Sequence, residues 1–180
     1  MPRVPLAEFD PALKKQLDEL WGGTPPNLYK QLANHPRVIA AWNQFARTLR
    51  HDSRTPRALR ELMILRGAQL MHSEYEWAQH LKMARNAGVR EAQITALAAW
   101  RKSDEFDAKE KAAIGLAEAV TQGHVPDDVY AQAMSHFDHQ DYVELAVTAA
   151  FYAMVARMLD AMHVQLEPDF KDYSPKLPPR

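Results

Sequence analysis

The sequence predicts an all-α protein. Apolar residues recur at i, i+3, i+4 and i+7 along most of the chain, period-2 alternation of β-branched and aromatic residues never persists, and helix start and stop signals come at regular intervals. Asp10 followed by Pro11 has the N-cap and N1 chemistry of a helix running to about Leu20, which "WGGTPP" then ends. A short helix follows from about Asn27 to Asn34. Pro36 opens another, with Val38, Ile39, Trp42, Phe45 and Leu49 on one side, and "RHDSRT" closes it. Thr55 and Pro56 start the next, which continues to about Met71.

Ser73 begins "SEYEWAQHLKMARNAG", and Gly88 at its end suits the left-handed C′ position. "REAQITALAAW" reads as a shorter helix. A longer one starts near Asp107 and stops at "TQGHVP", and Pro126 opens a short one to about His136. The last helix, about His139 to His163, carries Val143, Val147, Ala150, Phe151, Met154 and Met158 on one face and spreads further apolar residues around its circumference. Such a helix is buried on most sides, by its own domain or by another subunit. The stretch 167–180, "EPDFKDYSPKLPPR", holds four prolines and is expected to be an extended arm or disordered.

A chain of 180 residues fits a single domain, here spanning 1–180. Hydrophobic residues make up 47% and charged residues 25%, with 22 basic side chains against 23 acidic ones, a balance that gives nucleic acid no basic surface to bind. No apolar run approaches the roughly 20 residues of a membrane span, and "MPRVPLAEFD" lacks a signal-peptide core, so a cytoplasmic location without a membrane partner is expected. The absence of cysteine excludes disulfides, thiolate metal sites and any thiol nucleophile. No phosphate loop, nucleophile elbow or dinucleotide fingerprint occurs in its required context.

Chemistry concentrates between Arg60 and Val89. Glu61 shares a helix face with Ala58, Leu65 and Ala68, which places a carboxylate where core is expected. Desolvation there raises a carboxyl toward the range useful for proton transfer, whereas pairing with Arg60 or Arg66 makes it structural. Ser73 and Glu76 form a capping-box pattern, yet Glu76 also precedes His80 by four residues and can orient its imidazole. His72, Glu76 and His80 recur every fourth residue, but Ser73 as N-cap leaves His72 outside the helix and the spacing is not that of a zinc helix motif, so no metal is expected. His72 and Tyr75 are candidate substrate contacts.

The order Glu61, eleven residues, Ser73, two residues, Glu76, three residues, His80 resembles the carboxymuconolactone decarboxylase and alkylhydroperoxidase D superfamily. "RELMILRGAQL" and "SEYEWAQHLKMARNAGV" look like its decarboxylase branch, and the resemblance covers about 36–123. It implies an alkylhydroperoxidase D-like helical domain with a central antiparallel helix pair, assembling as a homotrimer or a hexamer of dimers. Ser73 and Glu76 stand where the peroxidase branch has its Cys-x-x-Cys, so a disulfide-relay peroxidase is disfavoured. What the resemblance implies instead is acid–base decarboxylation, without a cofactor, of a small carboxylated lactone or keto acid. His80 would be general acid, Glu61 or Glu76 would orient it, Arg66 would hold a substrate carboxylate, and Ser73 at the helix N-terminus would donate to a substrate oxygen. The same equipment suits an isomerase, dehydratase or lactonase. The alternative is a non-catalytic oligomeric or ligand-binding member, in which Glu61, Glu76 and His80 would not converge on one pocket.

Overall fold

The protein is described here by a computed structural model covering residues 1–21, 25–170 and 172–177, within which no strand occurs. In chain order its helices are α1 (Pro11–Trp21), α2 (Asn27–Leu32), α3 (Pro36–His51), α4 (Arg57–Met71), α5 (Glu74–Asn86), α6 (Glu91–Ala96), α7 (Ala108–Gln122), α8 (Asp127–Met134) and α9 (His139–Met162). A 3₁₀ segment extends α6 over Leu97–Lys102 and another spans Pro168–Phe170. Starts and stops follow local chemistry. Asp107 caps α7 in a capping box with Glu110, Asp138 caps α9, and Gly88 and Gly123 take the left-handed conformation after α5 and α7. The break expected across 22–24 lies outside the described residues, as does the end of the tail.

α4 is the hub, packed against α5, α7 and α9. Residues 59–65 of α4 are all buried, so the helix has no wet face and little amphipathic contrast. α4 and α5 run antiparallel: His72 adopts a left-handed conformation (φ 51°), the Ser73 amide donates to the Ala68 carbonyl at 2.9 Å, and the chain reverses at once. Residue 61 thereby faces residue 80, and residue 57 reaches residue 83.

Two faces differ from the sequence expectation. On α3, Ile39, Trp42, Asn43, Ala46 and Leu49 point inward, while Val38 and Phe45 are 43% and 45% exposed. On α9, Leu145, Ala149, Tyr152, Val155, Ala156 and Leu159 are buried, whereas Val143 and Met154 are 59% and 40% exposed. The inward face mixes bulky Leu145, Phe151, Tyr152, Val155 and Leu159 with the small Ala149, Ala153 and Ala156, and it leaves Val143 and Met154 on the outer side. By length and composition α9 could cross a membrane, and half of its most apolar window is buried by the rest of the chain. The described residues 172–177 of the tail pass over α5, where the Trp77 indole donates to the Pro175 carbonyl at 2.9 Å and Tyr173 donates to Glu74 at 2.6 Å.

Candidate functional site

The α4–α5 reversal brings two of the sequence candidates into contact. Glu61 has no exposed surface; it accepts from His80 Nδ1 at 2.8 Å and from Arg57 Nε at 2.6 Å. Burial alone would raise the Glu61 pKa, but His80 and Arg57 outweigh it and hold the group below the usual value, as the carboxylate. An ionised carboxylate only accepts, so Nδ1 must carry the proton and Nε2 is the ring nitrogen left for exchange. Burial, reinforced by the cations Arg50 and Arg57 and opposed by Glu61, lowers the pKa of His80. The resting imidazole is therefore neutral. Its ring meets Tyr152 edge-on, with centroids 4.8 Å apart.

His80 and Glu76 line one small, partly open pocket between α2, α3, α5 and α9, with a cavity volume of about 30 Å³. Trp42, Tyr29, Tyr75 and Tyr152 supply aromatic walls, and Gln79 and Arg50 add polar groups. Arg50 donates to the Tyr29 hydroxyl at 2.8 Å and to the Tyr152 hydroxyl at 3.4 Å. Glu61 does not line the pocket; it stands behind His80. Glu76 is buried beside Ser73, and its Oε1 has no hydrogen-bond partner among the described residues. Burial, with the nearby Glu61 charge, pushes its pKa well above the ordinary value, so Glu76 is a neutral carboxylic acid there. The Trp42 indole N–H is likewise buried without an acceptor among the described residues. One pocket thus holds a neutral imidazole, an acid that keeps its proton, and an unused donor.

The other sequence candidates fall differently. Ser73 is the N-cap residue of α5, but its side chain makes no cap bond, and Glu76 turns into the pocket instead of back to the N-cap amide. Tyr75 lines the pocket. His72 is exposed in the reversal and lines a separate open groove with Glu74, Asp160 and His163. Arg66 is absent from the pocket: it donates to Glu118 at 2.5 Å and to Gln69 at 2.8 Å. The partner expected for Glu61 was Arg60 or Arg66, but Arg60 donates to the Leu49 carbonyl and the contact falls to Arg57. Arg57 was legible as the residue at i−4 from Glu61. Arg50, Tyr29, Trp42 and Tyr152 come from distant helices and left no local signal. Among the described residues no three His, Asp or Glu side chains cluster as metal ligands.

Residues 36–119 match the carboxymuconolactone decarboxylase family. YdfG, an uncharacterized protein of Bacillus subtilis, is 34% identical over 94 residues, which are 51% of this chain and 64% of that protein, so the match spans less than two thirds of the relative's length. A peroxidase-related protein from Silicibacter superposes with a TM-score of 0.82 at 18% identity, covering 95% of this chain and 94% of that one. An alkylhydroperoxidase AhpD core protein from Ralstonia eutropha gives 0.80 at 18%, covering 94% of each. The debrominase Bmp8 in complex with 2,3,4-tribromopyrrole gives 0.78 at 18%, covering 88% and 87%. At such identities the likeness carries the fold alone.

Proposed function

Starting from residues 36–119 as a carboxymuconolactone decarboxylase family segment in an alkylhydroperoxidase D-like fold, we propose that the protein carries out acid–base chemistry, decarboxylation foremost, on a small carboxylated lactone or keto acid. The observation that carries this reading is geometric: His80, fixed by Glu61 on Nδ1 at 2.8 Å, and the buried Glu76 line one pocket, where burial favours the neutral base form of the first and the neutral acid form of the second. Loss of CO₂ breaks a C–C bond and leaves its electron pair in the conjugated system of the substrate, which must be stabilised and then protonated at carbon. Glu76 is the proton donor in this reading, delivering its proton to the carbon that lost CO₂; His80, oriented by Glu61 through Nδ1, takes up a proton from solvent at Nε2 and returns it to Glu76 through water, so each turnover consumes the one proton the product gains. This reverses the expectation that His80 is the general acid, because a buried neutral imidazole has no proton to spare at Nε2.

Arg66 is committed to Glu118 and cannot hold a substrate group there; Arg50 lines the pocket instead and would stabilise the negative charge that develops on the substrate as CO₂ leaves. Four aromatic side chains suit a planar conjugated substrate, in keeping with the planar ring bound by the debrominase neighbour. The same groups serve an isomerase or lactonase step. Exposed Val38, Phe45, Val143 and Met154 support assembly as a homo-oligomer, and a cytoplasmic setting goes with this reading. The test is a screen of small carboxylated lactones and β-keto acids for CO₂ release or absorbance change. On a substrate so found, Glu76→Gln and His80→Gln should each retain the fold and lose about 10²- to 10⁴-fold in kcat. Turnover near the original rate in both variants contradicts the proposal.

A further inference from the structure

A carboxylate of the chain itself already sits on two residues that line this pocket. Glu167, on the strap that follows α9, accepts from the Tyr75 hydroxyl at 2.8 Å and from the Asn27 amide at 2.5 Å through Oε1, and from the Gln79 side-chain amide at 2.6 Å through Oε2. The Leu28 amide donates to the same Tyr75 oxygen at 3.4 Å, which commits the hydroxyl proton to Glu167. No Lys, Arg or His pairs with Glu167 among the described residues. Its hold consists of neutral donors aimed at both carboxylate oxygens. Tyr75, Gln79 and Leu28 also line the pocket that contains His80 and Glu76. Burial and the adjacent Glu167 charge push the Tyr75 phenol far up, so it remains a donor throughout the working pH range.

We propose that Tyr75 and Gln79 form a carboxylate-binding subsite bordering the pocket, which Glu167 occupies in the resting chain and a substrate carboxylate takes over. Exchanging one carboxylate for another on neutral donors leaves the charge and hydrogen-bond count of the subsite unchanged, so entry requires no broken ion pair. The strap then acts as an intramolecular competitor that weakens binding of any small acid by the fraction of time Glu167 is seated. Further contacts of the strap, Tyr173 on Glu74 and Pro175 on Trp77, lie beyond Glu167 and keep the arm attached when the carboxylate leaves. This inference rests on the pocket being the ligand site, and its test needs no turnover.

The experiment is calorimetric titration of sodium benzoate into the full-length protein and into Glu167→Ala, Glu167→Gln and the double variant Glu167→Ala with Tyr75→Phe, each checked by circular dichroism. Glu167→Ala should bind benzoate at least tenfold more tightly than the unaltered chain, and the double variant should lose that gain. Glu167→Gln preserves the volume of the side chain and removes its charge, so it should also bind more tightly even if truncation loosens the strap. Unchanged affinity in both single variants overturns the proposal. A gain that survives loss of the Tyr75 hydroxyl overturns the subsite while leaving the pocket a ligand site, a result distinct from failure of the His80 and Glu76 variants to alter turnover.

Discussion

Two carboxylates are buried on the helices that make up the core, and they teach different lessons. Glu118 on α7 is 4% exposed and accepts from Arg66 at 2.5 Å, from the Trp100 indole at 2.9 Å and from Arg101 at 2.5 Å. Burial opposes its charge, but those three donors hold its pKa below the usual value. Glu61 on α4 is held down in the same direction. The difference is the company. Every cation around Glu118 is an arginine, which does not titrate, and Glu118 lines none of the pockets described above. Glu61 touches a histidine that lines a pocket shared with a second carboxyl, Glu76, whose burial favours the protonated form. A perturbed carboxylate marks chemistry only where a titratable partner and a cavity adjoin it.

Exchanging each carboxylate for its amide should separate the two roles. Glu61→Gln removes the acceptor that fixes the His80 tautomer, and kcat on a substrate found by screening should fall about 10²-fold or more. Glu118→Gln should leave the rate per folded molecule unchanged and lower stability by about 2 kcal/mol, the scale of hydrogen bonds to a charged group. Paired melting and rate measurements on the two variants read both effects. Equal rate losses would erase the distinction.

A smaller effect sharpens the contrast within the pocket. Because the folded state raises the Glu76 pKa above its ordinary 4.5, the unfolded chain releases this proton first, and the group removes stability as pH rises from about that value. His80, lowered from 6.5, works in the other direction: the unfolded chain binds the proton first, so stability is lost as pH falls through 6.5. Glu76→Gln should therefore stabilise the fold near pH 7 to 8 and flatten the alkaline side of the profile only. Urea denaturation across pH 5 to 8 checks this, and a variant less stable at pH 8 than the unaltered chain contradicts it.

The fold was largely legible because its punctuation is local: Asp107, Asp138, Gly88 and the prolines each act within a turn of where they sit. Which face of a helix turns inward was less so. Periodicity on α9 placed Phe151, Val147 and Met158 against the core, as expected, but also Val143 and Met154, which face outward because the buried face is centred on Leu145, Tyr152, Val155 and Leu159 instead. In the site, Glu61, Glu76 and His80 were visible as polar residues on apolar faces. The capping reading of "SEYE" did not survive for Glu76, whose side chain lies in the pocket. Arg50 and Tyr152 join the site from α3 and α9, a juxtaposition that only tertiary structure creates.

The central claim is that His80 rests as a neutral imidazole with its proton on Nδ1, beside a carboxylic acid that keeps its own. Nitrogen NMR of protein labelled in its histidine rings, with His80→Gln used to assign the signals, tests this most directly. Near neutral pH the account predicts one protonated and one unprotonated ring nitrogen for His80, the protonated one losing its Glu61 hydrogen-bond shift in Glu61→Gln. Two protonated nitrogens at that pH would contradict it and return the proton-donor role to His80.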